Sequence, residues 1–237
     1  MKPILRRERL KVFRSEHILG RWLLMAVGFF WLPGFFPVQA QTNAEIRTVA
    51  EVRRLTAEQA DRGIPVRLHG VVTFFDGRIY SYFLQDDTAG IYLSVMSTNP
   101  ALSMSVGQAV EVEGVTSSGE YAPIIQLKGR QILGETNLPE ARPVTFEQLA
   151  SGQEDSQFVE IHGIVRSLFL DKRNTYYQID VATGGGRVTA FVKGLPPEQI
   201  QNLVDSIVKI RGVCIAQFNR QRQLFHIGIM VPRTQDF

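Results

Sequence analysis

Near the start of its first strand-rich region the chain reads Val66-Arg67-Leu68-His69-Gly70-Val71. Apolar and polar side chains alternate in this stretch, and a glycine precedes the last apolar residue. Alternation with a period of two is typical of a β-strand that has one buried and one exposed face. The pattern returns three times, as Val110-Glu111-Val112-Glu113-Gly114-Val115, Val159-Glu160-Ile161-His162-Gly163-Ile164 and Val208-Lys209-Ile210-Arg211-Gly212-Val213. A glycine late in a strand favours a bulge or a bend, so we expect strongly coiled strands of the kind found in small closed barrels.

The four copies form two pairs, and each pair is accompanied by three further strand-like runs. These runs are 80–85, 91–95 and 124–133 in the first half and 175–181, 187–192 and 223–231 in the second. Helical composition precedes each half, at 48–60 and 144–151, and Pro196 begins a predicted helix that extends to Val204. This order predicts a mainly all-β fold with two tandem five-stranded OB-fold-like barrels and short helices. We assign barrel 1 to 44–138 and barrel 2 to 143–237, with a Pro-marked linker between them.

The first forty residues have the composition of a targeting segment. Seven basic residues are followed by an apolar run at 22–36 and then by Val38-Gln39-Ala40, which is typical of a secretory signal peptide with cleavage after Ala40. The alternative is an uncleaved membrane anchor, but the apolar run is shorter than the roughly 20 residues that a spanning helix needs, and Pro33-Gly34 interrupts it. We therefore predict a signal peptide at 1–40, export and a periplasmic location.

Removal of this segment reverses the net charge of the chain. The full sequence has 26 basic and 23 acidic residues and a net charge of +3. Without the seven basic and two acidic residues of 1–40, 19 basic and 21 acidic residues remain, a net charge of −2. Nucleic-acid binding relies on basic side chains that face phosphates, so this balance makes a nucleic-acid partner the less favoured expectation. Cys214 is the single cysteine and lies in an apolar run, which favours a buried, unreactive thiol.

The sequence contains no recognisable catalytic or metal-binding constellation. His69 and His162 occupy equivalent repeat positions, but in different predicted barrels, and no His/Cys/Asp spacing suggests convergent metal ligands. No Gly-x-Ser-x-Gly nucleophile elbow is present, and Gly184-Gly185-Gly186 lacks the Lys-Ser/Thr of a phosphate-binding loop. We therefore predict a protein that is not an enzyme and that uses no metal or cofactor.

Aromatic residues give the one sequence signal for a binding site. In OB folds the face of strands two and three binds oligonucleotides or oligosaccharides, and exposed rings there supply stacking. The predicted ligand-binding residues on or near this face of barrel 1 are Tyr80, Tyr82, Tyr92, Arg67, Arg78 and Tyr121. The alternative interpretation is that these rings pack against the preceding helix or the partner barrel.

A family resemblance agrees with this organisation. The hairpin Phe83-Leu84-Gln85-Asp86-Asp87-Thr88-Ala89-Gly90-Ile91 resembles the second hairpin of many OB domains. The region from about residue 46 to 233 is similar to the extracytoplasmic OB-like region that precedes the membrane segment of some bacterial sensor histidine kinases. Three stretches carry this similarity, at 65–73, 110–116 and 154–160. The resemblance implies a sensory input module, and because the 237 residues include no kinase module, we expect a stand-alone module or the product of a truncated gene.

Three functions remain as hypotheses. The first is an exported, non-catalytic module that binds a small molecule or a glycan. The second is a periplasmic protein–protein interaction module, and the third and least favoured is an exported nucleic-acid-binding OB protein. Contact with a membrane is expected only through the N-terminal segment, if that segment is not cleaved.

Overall fold

Five strands form barrel 1. They are β1 (Pro65–Asp76), β2 (Ser81–Gln85), β3 (Gly90–Ser94), β4 (Gln108–Ser117) and β5 (Ile124–Glu135). Their order is β1-β2-β3-β5-β4, and the barrel closes because β4 also pairs with β1. All pairs are antiparallel except β3 with β5. This is the strand order of an OB fold, as the sequence predicts.

Barrel 2 repeats this order. Its strands are β6 (Arg142–Pro143), β7 (Phe158–Asp171), β8 (Tyr176–Ala182), β9 (Arg187–Lys193), β10 (Ile207–Phe218) and β11 (Leu224–Met230). The sheet runs β10-β11-β9-β8-β7-β6, and the pairing of β10 with β7 closes it. The parallel pair is β9 with β11, at the place of β3 with β5 in barrel 1. The predicted mainly β fold of two OB-like barrels is therefore confirmed.

The structure, a computed structural model, describes residues 45–95, 102–173, 175–219, 221 and 223–237. The predicted signal peptide at 1–40 lies outside these ranges. In the part of the chain that is described, no helix has the length and apolar character needed to cross a membrane.

The register shows how closely the two halves correspond. In barrel 1, Val72 pairs with Leu84 and the register then shifts, so that Phe74 pairs with Phe83. In barrel 2, Val165 pairs with Val181 and the same shift follows, so that Ser167 pairs with Asp180. The bulge thus recurs at the same place in both halves. Position-by-position comparison of the two barrels is therefore justified.

Gly70, Gly163 and Gly212 lie where a long strand exchanges one neighbour for another, and Gly114 lies at a bulge in the pairing of β4 with β5. At Gly70, β1 still pairs with β4, and at Val71 pairing with β2 begins. A Cβ atom on any of the four glycines would collide with a backbone carbonyl oxygen of the adjoining strand. These oxygens belong to Gln85, Gln126, Ala182 and Met230, opposite Gly70, Gly114, Gly163 and Gly212 respectively. The glycines therefore permit close approach of a third strand, which is what the coiling of a small barrel requires.

Short helices accompany both barrels. They are α1 (Val49–Arg53), α2 (Ala57–Ala60), α3 (Phe146–Ala150) and α4 (Pro197–Ile200), with a 3-10 helix at Thr234–Asp236. Threonine caps the first three, each through a reciprocal bond with a Glu or Gln three residues later. The predicted helix from 196 to 204 is wrong in length, because α4 ends at Ile200 and the chain continues in turns to Asp205, which has a positive φ of 65°.

Each barrel has its own apolar core. Leu68, Leu84, Ile91 and Ile125 are fully buried in barrel 1, and α1 adds Val49 and Val52 to the same cluster. The corresponding core of barrel 2 includes Ile161, Ile179, Ile210 and Ile229, with Leu149 contributed by α3. Cys214 is fully buried among the residues of barrel 2, and burial raises the pKa of its thiol, as expected for an unreactive cysteine.

Candidate ligand-binding surfaces

The outer face of β1–β2–β3 in barrel 1 is covered by barrel 2. Phe74, Phe83 and Tyr92 point outward from these three strands, yet Phe74 and Phe83 are only 4% and 5% exposed. An apolar cluster fills the junction, and Tyr92 packs against it. Barrel 1 contributes Phe74 and Phe83 to this cluster, and barrel 2 contributes Phe158, Tyr176, Val213 and Met230. The face that many OB folds use for ligands is therefore the main contact between the two barrels.

A polar network holds the same junction. The Asp76 carboxylate, 8% exposed, accepts a hydrogen bond from the Tyr176 hydroxyl at 2.7 Å and forms an ion pair with Lys193. The Lys193 ammonium also lies 4.2 Å from the centre of the Tyr176 ring, within cation–π distance. Burial alone would raise the pKa of Asp76, but hydrogen bonds from Lys193, Tyr176 and the Arg78 backbone outweigh it and lower that pKa. The buried Asp76 carboxylate thus has both a hydrogen-bond donor and a counter-ion.

Close backbone contact fixes how the barrels meet. A side chain at Gly90 would collide with the carbonyl oxygen of Ser156. The Gln157 side-chain amide bonds to both the N–H and the C=O of Gly90, at 3.0 and 3.2 Å. The backbone N–H of Phe158 donates to the Gln85 side chain at 2.9 Å. Such direct main-chain contact leaves little room for relative movement of the two barrels.

The structure does not bring the six sequence-predicted ligand residues to one surface. Tyr82 faces the core of barrel 1, 6% exposed, with its ring centre 4.7 Å from that of Phe75, so it cannot stack on a ligand. Arg67 lies at the opposite end of β1, in ion pairs with Glu111 and Glu113 of the neighbouring strand. In barrel 2 the same pair has reversed polarity, Glu160 with Arg211, which identifies Arg67 as part of a cross-strand ion pair.

The remaining four residues lie nearer the junction. Arg78 contacts the buried Asp76, and Tyr80, 60% exposed, accepts a hydrogen bond at its backbone carbonyl from the Tyr92 hydroxyl. Tyr92 and Tyr121 line the same cleft between the barrels. The alternating pattern does not distinguish a core residue from a ligand-binding residue here, because β2 is buried on both faces. Its inner face lies in the core, and its outer face lies beneath barrel 2.

The equivalent face of barrel 2 is polar and only partly covered: Ser167 is exposed, Asp180 is half-buried and Thr189 is buried. By register, Ser167, Asp180 and Thr189 correspond to Phe74, Phe83 and Tyr92 of barrel 1. The hydroxyls of Ser167 and Thr189 each donate to Asp180 at 3.0 Å, one to each carboxylate oxygen. Where the first repeat has three aromatic rings, the second therefore has a hydrogen-bonded row of hydroxyl, carboxylate and hydroxyl.

A second row crosses the same face and includes two aromatic rings. Phe169 on β7 pairs with Gln178 on β8, which pairs with Phe191 on β9. Phe169 is 66% exposed, whereas Phe191 is half-buried and packs against the apolar cluster at the junction of the barrels. The two rings are separated by two strand spacings, about 10 Å, with the Gln178 amide between them. The aromatic pattern in the middle hairpin of barrel 1 does not point to these residues, whereas their equivalence to barrel 1 positions about the shared bulge does.

A third surface is the aromatic cleft, which we define by Tyr92, Tyr121, Phe218, Phe225 and Asp155. Its volume is about 540 Å³. The Tyr121 and Phe218 rings are stacked, with centres 3.5 Å apart and an interplanar angle of 8°. Phe225 is 66% exposed at its rim. The cleft therefore combines residues of both barrels.

His69 and His162 lie outside these surfaces, whereas the His226 ring lies edge-on to Phe191 with ring centres 6.3 Å apart. His69 is beside Glu111, and the His162 ring is 3.0 Å from Glu160, each histidine mostly exposed and each in its own barrel. Within the described ranges no three His, Cys, Asp or Glu side chains converge as metal ligands would.

Comparison with known proteins gives only distant structural likeness. No protein-family model matches the sequence, and no curated protein matches it. A murine DNA-binding protein bound with double-stranded DNA has 11% identity and a TM-score of 0.34, over 70% of this chain and 92% of that one. The p204 HINb domain has 12% identity and a TM-score of 0.35, over 73% and 94%. Asparaginyl-tRNA synthetase from Pyrococcus horikoshii has 14% identity and a TM-score of 0.30, over 59% and 51%. Likeness at this level transfers no ligand to the present chain.

Proposed function

We propose that this protein is an exported, non-catalytic binding module that takes a neutral oligosaccharide across the polar face of barrel 2. The observation that carries the proposal is the difference between the repeats. Three equivalent outward positions are aromatic in barrel 1, where Phe74 and Phe83 are buried against barrel 2, but polar in barrel 2, where Ser167 is exposed and Asp180 is half-buried. The first barrel thus serves as a support, and the second retains the face that OB folds use for ligands.

The two rows on this face match the two surfaces of a sugar. A pyranose ring has a flat C–H face, which packs on an aromatic ring, and an edge of hydroxyls, which need donors and acceptors. Phe169 and Phe191 supply the rings, and Gln178 between them supplies an amide that both donates and accepts. Because the rings are about 10 Å apart, they suit an extended ligand of more than one unit.

The central charge of this face is negative and favours a neutral ligand over a nucleic acid: the exposed Arg187 lies at the edge of the face, and Lys193 is paired with Asp76. Asp180 lies at the centre of the polar row, and its carboxylate would repel phosphate groups. Nucleic-acid binding draws much of its affinity from contacts of basic side chains with phosphates. A neutral polyhydroxylated ligand has no such conflict, since a carboxylate accepts hydrogen bonds from hydroxyl groups.

Titration calorimetry on the purified full chain tests this proposal. We expect saturable binding of cello- or chito-oligosaccharides that changes little with salt. Phe169→Ala should weaken that binding about tenfold, equivalent to about 1.4 kcal/mol, because it removes an exposed stacking surface. Phe225→Ala is the matched control, since Phe225 has the same 66% exposure but lies at the aromatic cleft.

Two results would overturn the proposal. One is full oligosaccharide affinity in Phe169→Ala, and the other is the absence of oligosaccharide binding altogether. Binding of single-stranded DNA that falls steeply with salt would instead assign the module to nucleic acid.

Export and a sensory role form part of the same proposal. The predicted signal peptide and the resemblance to sensor ectodomains support a periplasmic input module. Recovery of the chain from the periplasm, shortened at Ala40, is the expected outcome of cell fractionation with mass spectrometry of the intact protein.

A further inference from the structure

The aromatic cleft has properties that the oligosaccharide proposal does not use. One loop and three strands bring its rings together. Tyr121 comes from the β4–β5 loop of barrel 1, whereas Phe218 ends β10 and Phe225 lies on β11 of barrel 2. The Tyr92 ring meets Phe83 edge-on, with centres 5.4 Å apart. The cleft is therefore lined by aromatic surface on the sides supplied by both barrels.

Both charged residues that line the cleft, among the residues that the structure describes, are acidic. They are Asp155 and Glu120, and no Lys, Arg or His accompanies them in the described lining. Asp155 Oδ1 accepts a hydrogen bond from the Ala216 N–H at 3.0 Å, and Oδ2 accepts one from the Ser156 hydroxyl at 3.0 Å. A carboxylate has about four acceptor positions, so both of its oxygens keep capacity for a ligand.

Within the described part of the chain, no basic side chain forms an ion pair with Asp155. Burial raises the pKa of Asp155, and the hydrogen bonds from Ala216 and Ser156 and the charge of Arg53 offset this only in part. The Arg53 guanidinium donates instead to the carbonyl oxygens of Gly90 and Gln153, at 3.2 and 3.3 Å. The neighbouring Glu154 is paired with Arg142. A cationic ligand would supply the missing partner.

We propose that the aromatic cleft binds a small organic cation, of the quaternary ammonium class, with aromatic rings around the cation and Asp155 and Glu120 as its counter-charges. Aromatic faces attract such cations through their quadrupoles, and several rings around one cation form a cage. The volume of about 540 Å³ suits a small molecule. This site is separate from the polar face of barrel 2 and does not depend on the oligosaccharide proposal.

The geometry of the cleft is fixed before any ligand enters. A Cβ atom on Gly152 would lie 2.9 Å from Phe218 and 3.0 Å from the Tyr121 hydroxyl, and Gly152 has a positive φ of 76°. The stacked rings therefore lie directly over this glycine. The backbone N–H of Ser156 donates to the Cys214 carbonyl at 2.8 Å, which ties the Asp155 turn to β10. The rings and the carboxylate are thus positioned by contacts with different parts of the protein.

A pair of probes of equal shape tests the proposal. The full chain is titrated with choline chloride and with 3,3-dimethylbutan-1-ol, in which carbon replaces the charged nitrogen, and binding is followed by calorimetry and by NMR. We expect choline to bind saturably and the neutral probe to bind at least about tenfold more weakly. Equal affinity for the two probes, or no saturable choline binding, would overturn the proposal.

Three variants assign the site. Phe225→Ala and Asp155→Asn should each weaken choline binding about tenfold, whereas Phe169→Ala should leave it unchanged. Asparagine keeps an acceptor for the Ala216 N–H; if Asp155→Asn nevertheless fails to fold, Glu120→Gln tests the charge at an exposed position. Unchanged choline affinity in both Phe225→Ala and Glu120→Gln would exclude the cleft as the binding site.

Discussion

Two buried threonines of barrel 1 differ only in their hydrogen bonds. Thr116, 2% exposed, donates from Oγ1 to the Ala60 carbonyl at 2.7 Å and accepts from the Ile64 N–H at 3.0 Å. Thr73 is fully buried, and its Oγ1 has no partner among the described residues. Both lie in strands, and valine has nearly the same shape as threonine. Substitutions at these two positions therefore distinguish the contribution of a hydrogen-bonded hydroxyl to stability from that of an unpaired hydroxyl.

We expect Thr116→Val to lower the free energy of unfolding by about 1–3 kcal/mol, because it leaves the part-buried Ile64 N–H without an acceptor and removes the hydroxyl donor to the Ala60 carbonyl, which keeps only the Gly63 N–H. Thr73→Val should be neutral or stabilising, since it removes a buried polar atom without a partner. Urea denaturation at neutral pH measures both. Equal destabilisation by the two substitutions would contradict this account.

At the scale of the strand, the four repeat glycines show how much of the fold the sequence predicts. The alternation around Gly70 and its three counterparts correctly predicts long strands and two barrels, since only glycine lets a third strand approach so closely. The pattern contains no information on which outer face is covered. Phe83 and Asp180 occupy equivalent positions, and only the tertiary contact of one barrel with the other makes the first a core residue and the second a surface residue.

Gly114→Ala should destabilise barrel 1 by about 1–3 kcal/mol, because its Cβ would collide with the Gln126 carbonyl and force two strands apart. Gly129 on the neighbouring strand is the control, since its Cβ would meet only the Glu113 side chain, no closer than 3.8 Å. Gly129→Ala should be neutral or slightly stabilising. The midpoints of urea unfolding measure the difference. Similar midpoints for the two variants would show that close approach of the strands does not require glycine at position 114.

At the scale of the whole molecule, the Asp76 network makes the stability of the contact between the two barrels sensitive to acid. The pKa of Asp76 is lowered in the folded state, so its contribution is complete above the ordinary aspartate value of about 4 and is lost as the pH falls from there towards the folded value. Asp76→Asn should cost about 2 kcal/mol at pH 7, because Lys193 loses its partner at a half-buried position.

The same substitution should flatten the loss of stability below about pH 4. Asp205→Asn breaks the exposed Arg166 pair instead and should change stability little at either pH. Urea unfolding at pH 7 and pH 3 compares the three proteins. An unaltered acid profile in Asp76→Asn would mean that the junction does not depend on this carboxylate.

The covering of Phe74, Phe83 and Tyr92 makes the two halves mutually dependent for solubility. Barrel 1 expressed alone would expose a contiguous apolar patch of three aromatic rings. Barrel 2 alone would expose the complementary apolar patch around Phe158 and Met230. A protease that nicked the segment joining the halves would leave them bound to each other rather than free. A ligand could therefore reach this face of barrel 1 only if the two barrels separated.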